Sequence, residues 1–103
     1  MQVDAHEVAR LRALWAGVVR EAVLDEWRQL RSLKTLRTGR NAEVVANRTA
    51  AARRYFESAW FVTICDFAGL VHSTALVDAI MTIVCNDARP SFAMDPAERE
   101  EAA

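Results

Sequence analysis

The sequence predicts an all-α fold: a long helical hairpin followed by two shorter helices, assembled as an oligomer. Three observations carry that reading. Apolar residues recur at spacings of three and four through the first third of the chain, which is the period of a helix. Only three Gly and two Pro occur in 103 residues, and Ala, Leu, Val and Arg dominate, a mix that favours helices over a sheet with many turns. Good N-cap residues (Asp4, Asn41, Ser58 and Ser73) stand just before the periodic runs.

The first helix is predicted from about residue 5 to about residue 35. Asp4 caps it, and Glu7 three residues later completes a capping box. One apolar stripe runs Val8, Leu11, Trp15, Val18, Ala22, and a second runs Val19, Val23, Trp27, Leu30, Leu33. At 1.5 Å per residue the helix is about 45 Å long, whereas a compact 100-residue domain has a radius of gyration of only about 13 Å. Such a helix needs a partner along its length, in its own chain or in another subunit. The drift from one stripe to the other supplies a surface for each.

Thr35 to Asn41 breaks the pattern, with Gly39 for a turn and Asn41 as an N-cap. The second helix, about 42–57, places Val44, Val45, Ala51, Ala52, Tyr55 and Ala59 on one side, with Arg53 and Arg54 projecting the other way. Arg48 and Glu26 both fall within apolar stripes, and in a hairpin turning near Gly39 they lie at similar heights. Either they pair, or both reach solvent from the edge of the stripe.

Ser58 caps a third helix, about 59–68, with Phe61, Ile64, Cys65 and Ala68 inward and Gly69 as its stop. Ser73 caps a fourth, to about Asn86, whose only charge before the end is Asp78. A helix apolar around most of its girth must be covered on most sides. Leu76, Val77, Ile80, Met81 and Val84 are accordingly the expected oligomer interface. Beyond Asp87 the periodicity stops. The chain divides into a helical oligomerisation domain, 1–87, and an acidic, flexible C-terminal tail, 88–103. That tail is either solvated or a docking peptide that binds a partner through Phe92 and Met94.

The formal charge of −1 conceals a strong segregation. Residues 27–54 hold Arg28, Arg31, Lys34, Arg37, Arg40, Arg48, Arg53 and Arg54 against Glu43 alone, while both flanks are net acidic. The basic middle segment (28–54) is the candidate nucleic-acid surface, through Arg28, Arg31, Lys34, Arg37, Arg40, Arg53 and Arg54. Attraction there is to phosphates and largely indifferent to sequence. The alternative is a solvated face with intersubunit ion pairs to the acidic half. The helix pair around Gly69 looks at first like a helix-turn-helix, but residues 74–85 contain no Arg, Lys, Asn or Gln to reach base edges.

Catalytic signatures are missing from the sequence: no Gly-rich phosphate loop, no His-Glu-x-x-His, no Cys-x-x-Cys and no nucleophile elbow. Cys65 and Cys85 are expected to be buried thiols, and neither His6 nor His72 sits at a ligand spacing, so no metal or cofactor is expected. Met1-Gln2-Val3-Asp4 lacks the features of a signal peptide, and the apolar stretch from Ala75 to Cys85 is too short to span a bilayer. A non-enzymatic, cytoplasmic protein without membrane contact is the expectation.

Two stretches carry a resemblance. The early Trp15-Ala16-Gly17-Val18 has a Trp-x-x-Val pattern, and Arg53 to Leu70 fits Arg-x-aromatic-aromatic-x-Ser-x-x-Phe-x-x-Ile-Cys-x-x-Ala-Gly-Leu. Over roughly residues 11–85 the chain resembles small proteins encoded by alphaproteobacterial tailed phages, prophages and gene transfer agents. It departs from them at Trp60, where an acidic residue is expected, and at Val71-His72, which replace Asp-Pro. The resemblance implies a viral DNA-packaging role similar to a small terminase subunit. Such a protein would be a homo-oligomer that binds double-stranded DNA weakly and non-specifically and recruits a large terminase through a terminal segment. The alternative is a small phage-encoded interaction protein that binds and modulates a host protein without binding DNA.

Overall fold

The computed structural model describes residues 4–35 and 41–91, and among these every regular element is a helix. Helix α1 (Ala5–Lys34) is the spine. The Glu7 amide donates to Asp4 Oδ1 at 2.8 Å, so the expected cap is in place. Helix α2 (Asn41–Glu57) already includes Asn41, the expected cap, as its first residue. Gly39 lies outside the described residues.

Helix α3 (Ala59–Phe67) follows after Ser58 alone. The hydroxyl of Ser58 donates to the Tyr55 carbonyl at 2.6 Å and accepts from the Phe61 amide at 3.2 Å, so one side chain ends α2 and starts α3. A Schellman turn closes α3. The Leu70 amide donates to the Cys65 carbonyl at 2.8 Å, the Gly69 amide donates to Asp66 at 3.0 Å, and Gly69 adopts φ 76°. Helix α4 (Thr74–Cys85) starts at Ser73, whose Oγ accepts from the Leu76 amide. Among the described residues no helix is long and apolar enough to cross a membrane.

The core is one cluster: Val23 and Leu30 from α1, Ala52 and Phe56 from α2, Phe61 and Cys65 from α3, and Val77, Ile80, Met81 and Val84 from α4. Phe56 and Phe61 meet edge to face at 4.9 Å, with Tyr55 5.7 Å from Phe61. The His72 imidazole donates from Nε2 to the Phe56 carbonyl at 2.8 Å, satisfying one of the orphan carbonyls at the end of α2. At the far end, Trp27 Nε1 donates to the Asn86 carbonyl and Lys34 Nζ to that of Cys85. A cation at the C-terminus of α4 also complements its dipole.

Three expectations are corrected. The proposed oligomer interface on α4 lies inside the chain: Val77, Ile80, Met81 and Val84 are buried to 8% exposure or less, and Leu76 packs against them half-buried. Their spacing of three, one and three makes a single stripe that α1 and α2 cover. The outward side carries Ala75, Ala79 and Thr82, which need no cover, with Ile83 half in solvent. On α2, Val45, Ala52 and Tyr55 face the core as expected, but Phe56 is also fully buried there, Val44 is exposed and Ala59 belongs to α3. Of the two thiols, Cys65 is buried but Cys85 is exposed.

Candidate interaction surfaces

The basic residues separate into two groups. Arg28, Arg31 and Lys34 occupy the last turns of α1, where the chain leads into Arg37 and Arg40, which lie outside the described residues. Arg28 pairs with Asp25 at 3.4 Å, and Arg31 and Lys34 share Asp87 at 3.6 and 3.2 Å. All of these pairs are largely exposed, where an ion pair contributes about 0–1 kcal/mol and a phosphate can displace a carboxylate.

Arg53 and Arg54 stand near the far end of α2. Arg53 turns toward α4, against expectation: it meets Asp78 Oδ1 at 2.6 Å and Glu57 Oε1 at 2.9 Å. The hydrogen bond to Asp78, with both carboxylate charges, raises the affinity of this guanidinium for its proton still further. Arg54 is exposed. Among the described residues, Arg28, Arg31 and Lys34 at the end of α1 and Arg53 and Arg54 near the end of α2 therefore do not form one continuous patch.

Between the groups, Arg48 Nη2 meets Glu26 Oε2 at 2.5 Å, with the two side chains only 27% and 12% exposed. This is the pair whose alternative was independent escape to solvent, and it bolts α2 to α1. Arg48 Nε is buried without a hydrogen-bond partner, so the satisfaction of this guanidinium is incomplete. Burial, followed by the Glu26 and Asp25 charges, raises the pKa of the Tyr55 phenol.

The more pronounced surface is apolar. Among the described residues ten large hydrophobics are exposed, and eight come from the first half of α1 or from α3 and the link after it: Leu11, Leu14, Val18, Trp60, Val62, Phe67, Leu70 and Val71. Trp15 and Phe67 join the two elements, their rings 5.0 Å apart. Val8, Leu11 and Arg12 complete a cleft around that pair. Beside it, Leu14, Gly17, Val18, Glu21 and Ala22 line a second shallow depression on α1. The stripe from Val8 to Val18 was visible in the sequence as one of two on α1, but which of the two the core would leave over was not. The outer face of α3 was not, although Trp60 and Phe67 are seven apart and so share a side of the helix.

Phe92 and Met94 lie outside the described residues. No group of His, Cys, Asp and Glu among the described residues is arranged to hold a metal ion. Compared with protein-family models, with curated proteins and with solved structures, the chain finds no match in any of the three.

Proposed function

We propose that the chain is a non-enzymatic helical adaptor of the small-terminase kind. It assembles with copies of itself, touches double-stranded DNA weakly and without sequence preference, and recruits a large terminase through its C-terminal segment. The supporting observation is the division of α1: an exposed apolar stripe on its first half (Leu11, Leu14, Val18) and three cations on its last turns (Arg28, Arg31, Lys34). One rigid helix thus separates a surface suited to protein from one suited to phosphate. The pairing of Arg28, Arg31 and Lys34 with carboxylates keeps the field modest, which fits weak contact.

A DNA band-shift titration tests the reading. With about three phosphate contacts per copy, raising salt fourfold should weaken binding about fortyfold. Reversing Arg28, Arg31 and Arg37 to Glu should abolish binding and leave the helical circular dichroism unchanged. Binding that survives the triple reversal, or ignores salt, removes DNA from the proposal.

A second reading is favoured by the same ion pairs. Arg28, Arg31, Lys34 and Arg53 already have carboxylate partners, as in a protein that binds another protein and no nucleic acid. A chain indifferent to DNA at low salt, yet captured by one defined host protein, would select it.

A further inference from the structure

Beside its apolar stripe, the first half of α1 carries a row of residues whose two ends are opposite in charge. Arg10, Leu14, Gly17 and Glu21 follow one another at spacings of four, three and four, so they form one row along the helix. The row begins with a cation and ends with an anion. In its middle stands a protruding side chain, Leu14, 63% exposed, next to a position with none, Gly17. A Cβ added at Gly17 would meet the Arg20 guanidinium at 3.7 Å, an ordinary van der Waals contact, so that long side chain borders the depression there. Leu14, Val18 and Ala22 line it together with the charged Arg20, Glu21 and Asp25.

We propose that two copies of this chain pair through the first halves of their α1 helices, antiparallel and related by a twofold axis. Leu14 of each copy sits in the depression over Gly17 of the other, and Arg10 of each faces Glu21 of the other. One register satisfies both contacts, because Leu14 to Gly17 and Arg10 to Glu21 are centred on the same point of the helix, midway between Trp15 and Ala16. A twofold interface requires this kind of self-complementarity. Leu11 and Val18 flank the axis and close over it. At the ends of the pairing Glu7 approaches Asp25, whose charge Arg28 already balances at 3.4 Å. The missing side chain at Gly17 allows the helices to approach closely, as small residues do at tight helix crossings.

Leu11, Leu14 and Val18 are exposed by 52%, 63% and 38%, so α1 holds its apolar side chains in solvent where a second copy would cover them. The pairing rests on the self-association in the proposed function and on neither DNA nor a terminase. A twofold contact closes on itself, so any larger assembly would be made of these dimers through another surface.

Sedimentation of the full chain from about 1 to about 100 μM tests the idea by mass action. The expected species is a dimer. Leu14→Glu should give an 11.5 kDa monomer with an unchanged helical signal, since the side chain is mostly in solvent within one copy. Gly17→Leu, which fills the depression, should do the same. Arg10→Glu and Glu21→Arg should each raise the dissociation constant about tenfold, and the double reversal should restore it to within about threefold. A wild-type monomer throughout that range overturns both this pairing and self-association in the proposed function. A dimer that persists in Leu14→Glu, or a double reversal that fails to restore affinity, overturns the pairing alone.

Discussion

At Gly69 the backbone holds φ 76°, a region where a Cβ costs roughly 1–2 kcal/mol. An alanine there would also press on Arg12 Cδ at 3.2 Å, although that side chain is long enough to yield. Gly69→Ala is expected to lower stability by about 1–2 kcal/mol, read from the midpoint of a urea melt whose slope stays constant. The two thiols should behave differently. Burial pushes the Cys65 thiol up and screens it, whereas Cys85 is exposed, so a thiol reagent should modify one cysteine quickly and the other only as the chain opens. The raised Cys65 and Tyr55 also set a pH dependence. Their protonated forms are favoured in the fold, so the stability they contribute is complete below their unfolded values and declines as pH rises above roughly 9. Tyr55→Phe should flatten the alkaline part of a melting-temperature profile; an unchanged slope refutes the assignment. The Glu26–Arg48 pair was one of two readings the sequence left open, because hairpin geometry sets their heights but not whether two long side chains turn to each other or to solvent. The Arg53–Asp78 pair was not legible, since residues 25 apart on α2 and α4 meet through a packing angle that periodicity does not encode.

Among the elements, the caps and stops were the most readable features. Ser58, Ser73 and Gly69 act locally, through hydrogen bonds that span a few residues. Helix faces were harder. Counting Ala75 and Ala79 as apolar made α4 look greasy all round, yet alanine costs little in water, and the residues that demand cover form one stripe. Phe56 was missed because Tyr55 beside it competes for the same turn, and only the arrival of Phe61 from α3 decides between them. The consequence for α4 is testable. Ile80→Glu would place an unpaired charge in the core at a cost of several kcal/mol, against a total stability of about 5–15 kcal/mol. Loss of cooperative melting is expected. A folded variant of lower mass would instead return α4 to an interface. Phe61→Ala, which empties the aromatic centre, should cost about 3–5 kcal/mol in the same urea melts.

At the scale of the molecule, the described core and its ion pairs are complete by Ser91. A chain ending there is expected to keep its melting temperature, because every member of the core cluster among the described residues lies before it. A drop of several degrees on that truncation would show the remaining residues to be structural. Which partner covers the exposed apolar end was not readable from sequence, since exposure is a property of what the other helices leave over. The contacts of Trp27 and Lys34 with the end of α4 have a bearing on how the protein is made. They join residues 59 and 51 positions apart. On the ribosome the stripe containing Val23 and Leu30 therefore emerges well before the helix that covers it. At about 5–20 residues per second the interval is roughly 3–12 s. For that time a nascent α1 offers its core face to the surroundings, as a substrate for holding chaperones and for proteases. Arrested chains that stop short of α4 should be protease-sensitive and chaperone-bound, and those that extend past Asp87 clear of the ribosome should be neither.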